Sequence, residues 1–426
     1  MMTQICPPPS VLSGPQRRCH LLLTLCLPGQ TVTPEHISRV NGVDDAVSRQ
    51  DIADAAQALR RYHRLNLLAQ PDGSYIIEGS ALDRRLCLMY WLRRSLRLCP
   101  HYVHQQFTPA LKTALKQPGI ARALYDNTNL QALINLCARR LQRVFTTPER
   151  EFLQLFLPWC LLQHQLGQIP QFTAIQRSWT QERTEAQIAQ DIVRHWRRRV
   201  ARPPHDNELH FLTALFMLLR TPSTQSDHSP HDQQLLAAID RLIARFNSLC
   251  GLRFSNETRL REQLYVHLAQ ALNRSVFGIG IDNSLPQEIT HLYPRLMRTT
   301  REALQALETE FGIHFSSEET GLIAIIFGAW LVQESALGEK QVLLLTGNDP
   351  RLEEGLEQQL RELTLLPLSV RRLSLHTFQQ EGAPREVTLI VTPYATSLPL
   401  FSPPLIHLTL PPGEHQLQRI REILES

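Results

Sequence analysis

Apolar positions recur at helical spacing through most of the chain, and the breaks in that rhythm mark its parts. Residues 1–13 are proline-rich and read as a loose leader. From Pro15 a short apolar helix runs to about Leu27, and Pro28-Gly29 turns the chain. Thr33-Pro34 then supplies a cap and a proline at the first helical position for the helix EHISRV. Asn41-Gly42 predicts a sharp turn, and a longer helix follows over about Asp44–Tyr62, with Ile52, Ala55, Ala56 and Leu59 on one face. The spacing next alternates in LNLLAQ and SYIIEG, with Asp72-Gly73 between them, which predicts a β-hairpin.

Helix, helix, turn, helix and hairpin is the order of a winged helix-turn-helix, here over residues 14–98. A helix held off the body by a tight turn suits the major groove of DNA, and a hairpin tip suits the backbone. From about Ser80 to Gln333 nearly every segment is amphipathic and helical, as in RRLCLMYWLRRSLRL and RLREQLYVHLAQALNRSVF. The polar stretch TPSTQSDHSPHDQ, residues 221–233, reads as a linker and separates an all-helical domain over 112–222 from a second over 232–336. After Lys340 short apolar runs such as QVLLLTG and VTLIVTPY alternate with helical EEGLEQQLREL and HQLQRIREIL, which predicts a small parallel α/β domain over 340–426. The expected fold class is mainly α and multidomain.

Composition agrees with packed domains: 43% of the 426 residues are hydrophobic and 20% charged. Charge is uneven. Residues 1–100 hold 12 Lys and Arg against 8 Asp and Glu, whereas residues 340–426 hold 8 against 10, so the front of the chain is the basic end. That favours a polyanion such as DNA as its partner. The eight cysteines form no CxxC pair and most lie in apolar helical patterns, which implies buried thiols in a reducing cytoplasm. RRCHLLLTLCL (Arg17–Leu27) has too short an apolar core for a signal peptide and no cleavage site follows it; no run is long enough to span a membrane. No nucleotide loop, metal-ligand spacing or nucleophile–base pair stands out, so neither an enzyme nor a cofactor is expected.

The most specific segment is LREQLYVHLAQALNRSVFGIGIDNSLPQEITHLYPRL followed by ETEFGIHFSSEETGLIAIIFGAW. It resembles the PRD module, the phosphotransferase-system regulation domain of sugar-operon regulators, through His267, Arg274, Asn283, Tyr293-Pro294 and the segment from Glu319. EREFLQLFLPWCLLQHQLGQ and NELHFLTALFMLLR resemble a weaker, first PRD. GSYIIEG followed by RRLCL resembles the wing of activators that carry paired PRDs, and the last domain resembles their enzyme-IIB-like module. The resemblance implies a transcription regulator controlled by phosphohistidines, with a phosphocarrier protein as partner and a homodimer as the assembly. Of the four acceptor positions it implies, His267 is the one histidine. The others fall on Ile326, Leu215 and Phe156, side chains that cannot take phosphate. Thr346 stands where an enzyme-IIB module carries its cysteine, so the domain reads as a docking or structural element rather than a phosphoryl carrier. The sensor is therefore expected to be degenerate, and a protein that docks phosphocarriers or regulators without binding DNA is the alternative.

For the DNA contact, Ser48, Arg49 and Gln50 at the start of the third helix are candidates for base edges, with Arg17, Arg18, Arg60 and Arg61 for phosphates. Asp44 and Asp45 suit the helix dipole but repel phosphate. The basic run Arg194–Arg199 reads as a solvated helix end around a packed Trp196.

Overall fold

The computed structural model describes residues 11–116, 119–251, 256–281, 285–334, 340–365, 368–397 and 402–425. Residues 1–10 of the leader and Asn283 lie outside them. The chain divides into two compact units, one of residues 1–220 with 276–280, the other of residues 221–275 with 281–426.

The first unit begins with α1 (Gly14–Leu25), α2 (Pro34–Asn41) and α3 (Asp45–His63). Each start has its side-chain cap: Ser13 with Gln16 in a reciprocal box, Thr33 on the His36 N–H, and Asp44 on the Val47 N–H. Gly42 ends α2 in the left-handed region at φ 63°, where a side chain would be strained. Strands β1 (Asn66–Ala69) and β2 (Tyr75–Glu78) pair antiparallel, Asn66 opposite Glu78. Their turn is held by the Asp72 carboxylate, which accepts from the Ser74 N–H and hydroxyl. Helix α4 (Ala81–Leu98) follows, and Leu22, Ile37, Ile52, Leu59, Leu65 and Trp91 meet in one core beneath the three helices and the hairpin. Leu21, Leu22 and Leu23 have no exposed surface, so the segment that superficially looked like a signal peptide is core helix.

The chain continues through α5 (Pro100–Tyr102), a wider π-type turn at Val103–Phe107, and α6 (Thr108–Leu115). A bundle follows: α7 (Asn127–Leu141), α8 (Thr147–Gln165), α9 (Ala174–Thr180), α10 (Glu185–Arg197) and α11 (Asn207–Leu219). Helix α8 packs on α4, and its Trp159 indole donates to the Cys26 carbonyl, 2.9 Å away. Trp196 is buried, while Arg194 pairs with Asp191 and Arg199 reaches His195, as expected of a solvated helix end.

The second unit opens on a correction. Residues 221–229 form no helix or strand, but 230–233, also read as linker, are already helical. Asp227 accepts from the Ser223 N–H and the Tyr265 hydroxyl, and Ser229 with Asp232 forms the capping box of α12 (Pro230–Cys250). The polar residues that looked like linker chemistry are cap chemistry. Four helices complete the bundle: α13 (Glu257–Phe277), α14 (Leu285–Leu292), α15 (Pro294–Phe311) and α16 (Ser317–Glu334). The remaining elements are β3 (Lys340–Thr346), α17 (Pro350–Leu363), β4 (Leu368–Ser374), α18 (Leu375–Glu381), β5 (Leu389–Thr392), β6 (Leu405–His407) and α19 (Glu414–Glu425). They form a parallel sheet in the order β4-β3-β5-β6. Val342 and Leu344 face the core with α17 and α19, whereas Leu343 and Leu345 face Phe378 of α18. Burial on both faces explains why this strand is continuously apolar.

Candidate functional site

In the N-terminal module the expected DNA-contacting residues part company. Arg17 makes a two-point contact to Asp51 (Nε–Oδ2 2.7 Å, Nη2–Oδ1 3.2 Å), and Arg18 reaches Asp54 at 3.3 Å. These arginines fasten α1 to α3 through carboxylate partners, so a role as phosphate contacts would have to compete with those pairs. Ser48 is fully buried and shares a 2.8 Å hydrogen bond with Ser38, so it locks α2 against α3 instead of meeting base edges. Arg49 and Gln50 do point outward: Arg49 is 57% exposed and pairs with Asp45, and Gln50 donates to Asp54. Arg60 and Arg61 are exposed near the end of α3.

In the second unit Glu319 organises the site. It lies in the first turn of α16, 3% exposed, with its N–H donated to the Ser316 hydroxyl. Arg274 grips both carboxylate oxygens, Nε–Oε1 at 2.5 Å and Nη2–Oε2 at 3.1 Å. His267 Nε2 lies 3.4 Å from Oε2, an ion-pair distance rather than a well-formed hydrogen bond. That nitrogen has almost no accessible surface, although the side chain as a whole is 19% exposed. Burial pushes the Glu319 carboxyl up, but His267 and Arg274 outweigh it and hold the group below its ordinary value. His267 and Arg274 thus meet on one carboxylate. Ile326, further along α16, is half-buried.

The first unit repeats this anchor with different residues. Glu208, in the first turn of α11, has no exposed side chain. Arg85 of α4 grips it at 2.6 and 2.8 Å and also donates to the Gln168 carbonyl at 3.0 Å. His164 at the end of α8 sets Nδ1 3.0 Å from Glu208 Oε1 and Nε2 3.0 Å from the Pro203 carbonyl. Both ring nitrogens thus face oxygen acceptors. Burial raises the Glu208 carboxyl, and Arg85 and His164 more than reverse it. The PRD resemblance places Leu215 seven residues after Glu208, as Ile326 follows Glu319, but it gave no sign of Arg85 or His164. The available signal was an arginine on the apolar face of RRLCLMYWL. Aligning His164 with Arg274 moves the position seven residues earlier from Phe156 to Leu157. Phe156, Leu157 and Leu215 are all buried, so the one-residue slip leaves the chemistry unchanged.

Thr346 ends β3, half-buried. Among the described residues no group of three or more His, Cys, Asp and Glu is placed to hold a metal, and no helix is long and apolar enough to cross a membrane. Seven described cysteines are free thiols, and six of them are buried.

Comparison with known proteins places these features. A model of the PRD domain matches residues 240–330, which include His267, Arg274 and Glu319. A model of the C-terminal domain of stationary phase-inducible protein CsiE matches residues 340–424. A curated relative, the transcriptional regulator ManR of Bacillus subtilis (strain 168), is 24% identical over 105 residues, 25% of this chain and 16% of that protein. The stationary phase-inducible protein CsiE of Escherichia coli (strain K12) is 54% identical over 419 residues, 98% of each chain. With that coverage and a PRD at the carboxylate anchor of the second unit, the chain belongs to the family of stationary phase-inducible protein CsiE.

Proposed function

We propose that the protein is a cytoplasmic, homodimeric transcription regulator whose residues 14–98 act as a winged helix-turn-helix on DNA. The observation that carries this reading is the arrangement of α1–α3 and the β1–β2 hairpin around one core, with Arg49 and Gln50 on the outward side of α3. In such a module α3 enters the major groove. Arg49 releases Asp45, an exposed partner that holds it weakly, and takes a base edge. Arg60 and Arg61 sit near the end of the same helix for phosphates.

Control by phosphorylation falls to His267. A phosphoryl group on its ring adds negative charge beside the buried Glu319 carboxylate. Like-charge repulsion there would break the His267–Glu319 contact and leave Arg274 to choose between two anions. That is a physical route from modification to bundle rearrangement, with a phosphocarrier protein as donor. Transfer of label from phosphorylated carrier protein to the wild type and to His267→Ala tests it. Label that is absent, or that persists in the variant, ends this part of the proposal.

A second reading has its own observation. The positive charge counted in the N-terminal sequence is partly spent: Asp51 and Asp54 neutralise Arg17 and Arg18, and Asp44 and Asp45 crowd the start of α3. A protein that docks phosphocarriers or regulators without touching DNA fits that balance. Selection of duplexes from a random pool by the purified full chain, beside Arg49→Ala, separates the two. Enrichment of a defined site by the wild type supports DNA binding, and no enrichment supports the docking protein.

A further inference from the structure

Parallel α/β sheets bind ligands in the crevice beyond the carboxyl ends of their strands, at the point where successive connections run to opposite sides. In the order β4-β3-β5-β6 that point lies between β3 and β5. The loop that leaves β3 there, Thr346-Gly347-Asn348-Asp349, runs directly into the N-terminus of α17. Backbone N–H groups and a helix N-terminus together favour an anion.

The chain's own oxygens already fill this crevice. Glu353, in the first turn of α17, is 5% exposed, and its Oε1 accepts from the Gly347 N–H at 2.7 Å. Tyr394, just past β5, directs its hydroxyl to the same oxygen at 3.4 Å. Its ring lies so close to Gly347 that a Cβ added there would sit 2.6 Å from ring carbon Cζ. The Gly347 loop donor is thus answered by an internal acceptor, an almost fully buried carboxylate with no arginine or lysine paired to it among the described ion pairs.

We propose that Glu353 is a built-in ligand. Its carboxylate occupies the anion position offered by the Gly347 N–H and the start of α17, and Tyr394 packs against the loop beside it. The C-terminal domain therefore holds an anion-occupied geometry permanently, and a partner that reads this face reads it without any phosphorylation of Thr346. The inference stands on the sheet topology and the loop contacts, independently of DNA binding and of His267.

The test uses full-length protein labelled with 15N-glycine and 13C-carbonyl threonine. Only two of the chain's Thr–Gly pairs report, Thr346–Gly347 and Thr320–Gly321. Inorganic phosphate is the probe. In the wild type the Gly347 amide is expected to ignore phosphate. In Glu353→Ala the vacated cradle is expected to give a saturable phosphate-dependent shift at Gly347 and none at Gly321. In Glu353→Gln, which keeps the shape but loses the charge, the Gly347 proton is expected to move upfield without gaining phosphate binding. A wild-type Gly347 signal that titrates with phosphate, or a folded Glu353→Ala protein that does not, overturns the proposal. If Glu353→Ala fails to fold, an unmoved Gly347 proton in Glu353→Gln does the same.

Discussion

Glu208→Ala isolates the energetic weight of the buried anchor in the first unit. The substitution removes a carboxylate that accepts two bonds from Arg85 and one from His164, all three groups being at most 1% exposed. What remains is a buried guanidinium that donates to the Gln168 carbonyl and leaves Nε unanswered, beside the His164 ring at the Pro203 carbonyl. Breaking a buried ion pair from one side costs about 3–5 kcal/mol, because the surviving charge stays desolvated. For a unit of about this size each kcal/mol lowers the melting temperature by roughly 2–4 °C, so a loss of about 6–20 °C is expected. Four of the five tryptophans, Trp91, Trp159, Trp179 and Trp196, lie in the first unit, so fluorescence follows its unfolding. Replacing the charges together, with Arg85→Met, Glu208→Leu and His164→Leu, is expected to recover most of the loss. A Glu208→Ala protein within about 1 kcal/mol of wild type, or a triple variant no better than the single one, would refute the reasoning.

Three further outcomes follow from the same contacts. Glu208 and Glu319 are both held below their ordinary value of 4.5, so the stability they contribute is fully present above that pH and is lost as pH falls through their folded values; denaturant titrations from neutral to pH 3 should show both units weakening below about 4.5. Gly42→Ala places a Cβ at φ 63° and should cost roughly 1–2 kcal/mol in the same fluorescence assay, with Gly42→Asn costing less. Leu157→His and Leu215→His, which would put histidines at the first bundle's acceptor positions, should destabilise the fold and remain unlabelled by phosphorylated carrier protein, since both sites are closed to solvent.

Much of the architecture was legible because local chemistry and global pattern agree. The Thr33-Pro34 start, the Asp44 start, the Gly42 turn and the Asp72-Gly73 turn are read within four residues of sequence, whereas the Ser13 cap was hidden in what read as a loose leader. Within residues 221–233 the helix start at Pro230 went unread because Ser, Asp and Pro serve both loops and helix caps, and the Tyr265 hydroxyl that pins Asp227 is 38 residues away. Helix α18 went unread because LSLH looks like the end of a strand until Ser374 caps the turn that follows. The candidate site was legible only in part. The PRD resemblance located His267, Arg274 and Glu319, and Glu208 as the matching position in the first unit. It could not show that Arg17 and Arg18 are consumed by Asp51 and Asp54, more than thirty residues on, or that Ser48 turns inward. Nor could it pair Arg85 with Glu208 across 123 residues. Charge counted along a chain does not reveal which charges cancel in space.

Genome-wide DNA occupancy of the full-length protein, wild type beside Arg49→Ala, tests the central claim most directly. Stationary-phase and sugar-limited cultures are the conditions to compare. The account predicts discrete peaks in the wild type that disappear in the variant while the protein level stays unchanged. Absence of peaks under both conditions would contradict it and leave the chain as a docking protein.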